Sequence, residues 1–394
     1  MARLSITGES SKITLDDIIV GLFVLATYIF ENDQYSGLFS IIQAIFFIYF
    51  AGILVINKRM PVNCVVNWAC LVAFIGLILL IFNFDSYVLT STISVVKNCL
   101  KALIISLYLY RKKNADILIF SIALSGTLCG FELLRLFLDS SMIYTQLKYA
   151  TNSRIGAEIA GGNVNIVALN MCFAFSALLY LAKNKTGIII KRLLYACLAF
   201  VIATSLLTGT RKIILFYVAG FVIANNNMKL RHKIITMLSL VGLYLALMHI
   251  EPLYFLVGHK IDFFSDNKAY SMYDGSDDNR LALALGAVNL FLEHPLGIGF
   301  GNTINYLGTY AHNNYVEILA SLGIIGFLTY YGIYFYGLHE AFKYRRNELC
   351  RYCLYTIVGL MIIEFGQVTC LYPIIYIFFP IFTFAFNKKH LDND

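Results

Sequence analysis

Residues 62–82 read VNCVVNWACLVAFIGLILLIF, a stretch with no Asp, Glu, Lys or Arg. At 1.5 Å per residue a helix of this length rises about 31 Å, the thickness of a bilayer's hydrocarbon core. Backbone N–H and C=O groups in lipid must be bonded inside the structure, which leaves helices and closed barrels as spanning elements. Outward from this stretch, the chain repeats the pattern near 16–30, 37–56, 89–110, 117–138, 163–182, 190–207, 211–224, 234–250, 316–337, 350–367 and 370–386. Of 394 residues, 59% are apolar, 15% aromatic and 13% charged, the last about half the share of a soluble domain. This excludes a soluble globular enzyme, a disordered chain and a disulfide-stapled secreted module. The fold class expected is an all-α polytopic membrane protein, a single integral membrane domain over 1–394 with about twelve spans.

The net charge of +7 reads as a topology signal rather than as a nucleic-acid surface. The basic clusters Lys58-Arg59, Arg111-Lys112-Lys113, Lys183 to Arg192, Lys229 to Lys233, Lys343 to Arg351 and Lys388-Lys389 fall at alternate ends of the spans. The positive-inside rule then puts both termini in the cytoplasm. The N-terminal residues lack the basic region and small-residue cleavage site of a signal peptide. Cys350 and Cys353 form C-x-x-C at a helix end without a second pair, and most other cysteines sit within spans, as small apolar residues do.

Two loops on the opposite, outer side are long, 139–162 and 251–315. Loops beyond about 15 residues are usually functional or disordered, and the second is not of low complexity. Ser276-Asp277-Asp278 can cap a helix starting near Arg280, and Leu281, Leu285, Val288 and Leu292 recur at helical spacing up to Pro295. This predicts an amphipathic helix along the outer membrane surface. Thr208-Gly209-Thr210-Arg211-Lys212 places two cations at an outer helix N-terminus, against the charge bias. They suit an anion held by the helix dipole, or a pair snorkelling to lipid phosphates. Arg154 precedes Gly161-Gly162-Asn163, Arg280 opens the surface helix, and His294 and His312 bracket a glycine-rich turn. The glycines permit tight turns and close approach of a ligand. Within the membrane, Lys97 and Lys101 share a helix face, and Glu132 and Arg135 lie on the next span. A Lys97–Glu132 ion pair and a role in a substrate cavity are the two readings. Glu31-Asn32-Asp33 is the one acidic pair in the first outer loop, which is too short for a metal-dependent site.

The strings Asp278-Asn279-Arg280, His294-Pro295-Leu296-Gly297-Ile298-Gly299-Phe300-Gly301, His312-Asn313-Asn314-Tyr315 and Leu322-Gly323-Ile324-Ile325-Gly326 occur in this order. With Asn163-Val164-Asn165 and Leu207-Thr208-Gly209-Thr210-Arg211 upstream, the region 150–335 resembles the O-antigen ligase/polymerase superfamily of Wzy and WaaL types. Thr210 and Lys212 depart from it, the family commonly having Ser and a small residue there.

The resemblance implies a GT-C-like, metal-independent glycosyltransferase of the bacterial cytoplasmic (inner) membrane, with no cofactor. Its donor would be a glycan on undecaprenyl diphosphate. Carried over by position, Arg211 and Arg280 hold the diphosphate and His312 lies near the acceptor hydroxyl. Arg154, Lys212, His294, Asn313 and Asn165 are the further substrate-binding candidates. Expected partners are the lipid-linked oligosaccharide and polysaccharide, membrane lipids, a flippase and a chain-length regulator. Guanidinium groups suit this chemistry because they stay charged and grip phosphate oxygens bidentately. A neutral imidazole takes a hydroxyl proton. Inversion at the anomeric carbon is expected. A covalent route would instead need a carboxylate such as Glu293 or Glu317. A repeat-unit polymerase is the leading reading, and a ligase to lipid A–core or protein shares its donor chemistry. A transporter or flippase draws support from the intramembrane charges, but the halves show no repeat.

Overall fold

The computed structural model describes residues 13–29, 36–57, 62–139, 163–184, 187–210, 212–225 and 276–386, with isolated positions between 234 and 254. Among these residues every regular element is a helix. In chain order they are α1 (Leu15–Ile29), α2 (Ser36–Asn57), α3 (Cys64–Phe82), α4 (Ser86–Lys112), α5 (Asp116–Asp139), α6 (Val164–Asn184) and α7 (Ile188–Ser205). A 3-10 turn (Leu206–Thr208) follows, then α8 (Lys212–Ala224), α9 (Ser276–Glu293), α10 (Thr303–Leu307), α11 (Asn314–Lys343), α12 (Glu348–Glu364), α13 (Pro373–Phe378) and α14 (Pro380–Ala385). Seven helices, α2 to α7 and α11, are long and apolar enough to cross a membrane. The expected count of about twelve is larger because it includes α1, α8, α12 and the α13–α14 pair, which are shorter, and 234–250, most of which lies outside the described residues. Side chains such as Ile48, Val55, Ile81 and Leu328 point off these helices, each more than half exposed. Water would penalise such a surface and lipid does not. The protein is a multi-pass membrane protein.

The chain forms two compact units. The first comprises 1–51 and 115–265, and its centre is α6. Nearly all of α6 from Val164 to Ala182 is buried, which fits an apolar segment without a polar face. Contact with α5 is close because Gly126 faces Ala174, where a Cβ on Gly126 would lie 2.0 Å from the Ala174 Cβ. Small residues let membrane helices approach in this way. Phe23 of α1 stacks on Phe46 of α2 with ring centroids 3.8 Å apart. Glu132 finds its partner one turn away on its own helix, where Arg135 lies at 2.5 Å.

The second unit comprises 52–114 and 266–394. Asn63 and Asp85 cap α3 and α4 with their side-chain oxygens, as short polar side chains before an apolar run do. Trp68 of α3 donates its indole N–H to the Tyr330 carbonyl at 3.1 Å and lies against the rings of Tyr330, Tyr376 and Phe379. Buried Lys101 donates to Asn98 at 3.0 Å, and Asn98 donates to the Leu371 carbonyl at 2.9 Å. Buried Glu364 accepts from Tyr334 (2.6 Å), Thr369 (2.5 Å) and Tyr331 (3.1 Å), so a carboxyl group in an apolar bundle is surrounded by donors.

The Gly126 contact gives a direct test. Gly126→Leu is expected to destabilise the protein by about 3 kcal/mol or more through overpacking, read as a lower thermal midpoint in detergent. Gly332→Leu, where a Cβ meets nothing within 4 Å, is expected to stay within about 0.5 kcal/mol of wild type.

Candidate active site

The site in the second unit is organised by a break in α11. Gly323 has φ 66° and ψ −172°, so the helix cannot continue through it. In an unbroken helix the Ala320 carbonyl would accept from the Ile324 N–H. Here Ile324 N–H donates to the Pro295 carbonyl at 3.1 Å, and the Ala320 carbonyl accepts from Ile298 N–H at 3.1 Å. The Ser321 carbonyl accepts from Gly299 N–H at 2.8 Å. The turn after α9 thus supplies the partners that the broken helix lacks, and each group left unpaired in an apolar setting would cost several kcal/mol. The two main chains nearly touch. A Cβ on Gly297 (φ 97°) would lie 2.6 Å from the Gly323 nitrogen, and one on Gly323 would lie 2.4 Å from the Pro295 oxygen. The glycines of the 295–301 turn suggest tight turns and the close approach of a ligand. At Gly297 what approaches is the backbone of Gly323.

From this joint the chain runs through α10 and returns to α11 by way of Tyr310, Ala311 and His312. His312 is partly buried and has φ 56°, a left-handed backbone that a residue other than glycine keeps only where its surroundings dictate it. The next residues provide those surroundings. Asn313 caps α11, its side-chain oxygen accepting from Tyr315 N–H at 2.9 Å and Val316 N–H at 3.4 Å. Asn314 is fully buried and accepts from the Thr369 and Cys370 N–H groups at 2.9 and 3.2 Å. Its amide donates to Tyr331 at 2.9 Å. Tyr315 donates its hydroxyl to the Met361 carbonyl at 2.9 Å and stacks on Tyr331. In the string His312-Asn313-Asn314-Tyr315, the last three residues therefore build the helix start that holds the first.

Glu317 completes the anchor. Buried one turn into α11, it accepts from Ala311 N–H at 2.9 Å, Thr303 Oγ1 at 2.6 Å and Ser321 Oγ at 3.4 Å. It thereby ties the residue before His312 to the start of α10. As a covalent nucleophile it would have to give up these bonds. Asn305 of α10 bonds to Asp85, and with the Tyr87 N–H this holds the Asp85 carboxyl below the usual carboxylate range. The tie fastens the loop to the start of α4.

Arg280 lies on α9, partly exposed, and does not open it: the helix already includes Ser276, Asp277 and Asp278, expected to be its cap. Ala287 and Leu290 of that helix are buried in one cluster with Ile298, Ala311 and Ala320. Arg280 precedes Ala287 by about two turns and shares its face, about 10 Å along the axis. The predicted stripe of Leu281, Leu285 and Leu292 points away from this cluster, each residue more than half exposed. The helix is therefore apolar on two sides, one packed and one outward. His294 is exposed, 6.1 Å between ring centroids from Tyr306.

The first unit holds the other motif. Thr210 donates to Asn165 Oδ1 at 3.4 Å, and Asn165 N–H donates to Asn163 Oδ1 at 3.0 Å. The two upstream strings, far apart in sequence, thus meet. Thr208 donates to the Ser205 carbonyl at 2.7 Å, and Tyr217 donates to Ser205 Oγ at 2.8 Å. Gly209 turns the chain at φ 64°. Lys212 opens α8, partly exposed. Arg211 and Arg154, like Glu31 and Asp33, lie outside the described residues. Asn165 and Lys212 belong to one unit, and Arg280, His294, His312 and Asn313 to the other.

In the second unit, apolar helices hold His312 in a left-handed backbone, and α9, which carries Arg280, packs against the neighbouring Ala311. Residues 193–331, about a third of the chain, match the family model described as O-Antigen ligase (Wzy_C). This region is similar to the O-antigen ligase/polymerase superfamily. No curated protein matches the chain.

The Glu317 tie predicts a graded response. Glu317→Ala leaves the buried Ala311 N–H unsatisfied and is expected to cost about 1–3 kcal/mol. Hydrogen exchange over 303–313 should speed up accordingly. Glu317→Gln is expected to lose less, since its oxygen can accept from Ala311 while the Thr303 hydroxyl rotates to accept from its amide.

Proposed function

We propose that the protein is a polysaccharide repeat-unit polymerase. It is an inverting, metal-independent glycosyltransferase whose donor is a glycan on undecaprenyl diphosphate and whose acceptor is a lipid-linked repeat unit. The observation that carries this reading is His312. It is held in a left-handed backbone by the Asn313 cap and the Glu317 tie, within the region that matches the superfamily model. A strained, over-determined histidine suits a residue that must meet a reacting atom.

The chemistry follows from the side chains. The acceptor hydroxyl oxygen bonds to the anomeric carbon as the bond from that carbon to the phosphate oxygen breaks. The electron pair leaves on the diphosphate, and the hydroxyl proton passes to the His312 imidazole. Arg211 and Arg280 hold the diphosphate and stabilise its growing charge. Such preorganised cations count for far more in a low-dielectric site than in water. Lys212 and Arg154 add positive charge for the same anion. Asn165 sets the turn that carries Arg211, through Thr210. His294 and Asn313 flank the acceptor path. The positive-inside bias puts both termini in the cytoplasm of a bacterial inner membrane and the 294–315 loop outside. No ATP is at hand there, and the diphosphate itself provides the driving force. The outward stripe of α9 then lies against lipid, and a flippase and a chain-length regulator supply substrate and set product length.

Arg211→Ala, Arg280→Ala and His312→Ala are each expected to lower polymer formation by about 10²–10³-fold at normal protein level, read by gel analysis of cell polysaccharide. Arg280→Lys should also lose activity, since it keeps the charge but not the bidentate fork. Full-length polymer in all three Ala variants would end the glycosyltransferase reading. Deleting the protein should leave single repeats downstream, whereas long chains retained on the carrier lipid would indicate the ligase. Purified protein is expected to keep its rate in EDTA, and loss on chelation would contradict metal independence.

A further inference from the structure

The exposed side of α11 changes chemistry along its length. Ile325, Leu328, Phe335 and Phe342 are each more than half exposed. With Gly332 and His339 between them, they follow the three- and four-residue steps that keep side chains on one helix face. Gly332 is exposed, and a Cβ there would meet nothing within 4 Å, so it leaves a notch between Leu328 and Phe335. From Gly332 to Phe342 the helix rises about 15 Å, half the hydrocarbon thickness of a bilayer. The stripe ends at three exposed cations, Lys343, Arg345 and Arg346. The Arg345 guanidinium lies over the Phe342 ring, 4.3 Å from its centroid, and donates to the Phe342 carbonyl at 3.1 Å. It thereby joins the apolar stripe to the cationic end. The turn that carries these cations is fixed from inside. Arg351, its side chain nearly buried, donates to the Arg345 carbonyl at 3.0 Å and the Arg346 carbonyl at 3.4 Å. The charge of Arg351 is met by Glu348 at 2.6 Å, and Glu340 lies 3.8 Å from His339. The neighbouring acids are thus engaged, and the outward charge of the turn is positive.

We propose that this face of α11 binds one anionic phospholipid. Arg345 and Arg346 grip its phosphate, Lys343 adds charge beside them, and one acyl chain runs along Phe342 and Phe335 to end in the Gly332 notch. An amphiphile with a negative head matches both parts of the surface. A free phosphate would leave the stripe unused. A second copy, related by a two-fold axis along the membrane normal, would set the same cations against each other. The positive-inside bias puts this end in the cytoplasmic leaflet. That bias counts charge alone, and neither an exchange of Arg for Lys nor the size of residue 332 alters it. A binding site responds to both. The inference does not draw on the glycosyltransferase reading.

The test is native mass spectrometry of the full-length protein in detergent, titrated with phosphatidylglycerol and with phosphatidylcholine of the same chains. The first phosphatidylglycerol is expected to bind more tightly by about tenfold or more. Arg345→Ala combined with Arg346→Ala should remove that preference. Arg345→Lys combined with Arg346→Lys keeps the charge and should still weaken phosphatidylglycerol binding by about threefold or more. Gly332→Leu, expected above to fold as wild type, should weaken it by about the same factor, because the chain loses its notch. Thermal midpoints report folding, and Gly332→Leu keeps the test decisive where an arginine variant loses stability. Equal binding of the two lipids, or unchanged phosphatidylglycerol binding in Gly332→Leu, would overturn the proposal. So would displacement of the lipid by inorganic phosphate at the lipid's own concentration, which would mark a patch for free anions. A wild-type dimer that takes up no phosphatidylglycerol would overturn it in favour of a second copy.

Discussion

The interaction on which the site depends is the exchange of main-chain hydrogen bonds at Gly323. A helix interrupted within an apolar bundle leaves donors and acceptors with no water to meet them. The turn from Pro295 to Gly299 meets them, bond for bond, with distances of 2.8 to 3.1 Å. The exchange requires two backbones to lie closer than any side chain permits, which is why both Gly297 and Gly323 must lack a Cβ. Its consequence is geometric. The end of α9 and the middle of α11 become one joint, and the segment between them can only be a short, closed loop.

That loop is then pinned repeatedly. Glu317 holds Ala311 and Thr303, Asn313 and Asn314 fix the start of α11, and Ala287 and Leu290 press α9 against Ala311. The left-handed backbone of His312 is the outcome of these constraints. Strain of this kind costs about 1–3 kcal/mol and persists only where neighbours over-determine it. The first unit follows the same logic on a smaller scale, where Ser205, Thr208 and Thr210 bind a turn next to the position of Arg211. In both units, hydroxyl and amide side chains complete the backbone of a motif string.

Much of this was legible in the sequence. Apart from 234–250, the expected apolar runs coincide with described helices, and the surface helix ends at Glu293, just before Pro295. These signals are local, since twenty apolar residues declare a span without reference to the rest of the chain. The motif strings and their order were also visible, and the family match over 193–331 covers most of them. What stayed hidden depends on partners distant in sequence. The glycine-rich turn looked like a ligand cradle because its true neighbour, the backbone at 320–324, lies about 25 residues onward. The leucine stripe of α9 reads as an outward, membrane-surface side and is exposed, while the packing of Ala287 and Leu290 on another side of the same helix gave no sequence signal. Glu364 gave no hint of Tyr331, Tyr334 and Thr369, and Glu317 suggested a nucleophile rather than a tie.

The central claim is that one direct displacement on a lipid-diphosphate glycan is carried out by arginines and a histidine, with no carboxylate forming a bond to sugar. The anomeric configuration of the linkage formed by purified protein from a lipid-linked repeat of known configuration tests this most directly, by NMR of the product. The account predicts inversion at the transferred anomeric carbon. Retention would contradict it and would return Glu317 or Glu293 to the role of nucleophile.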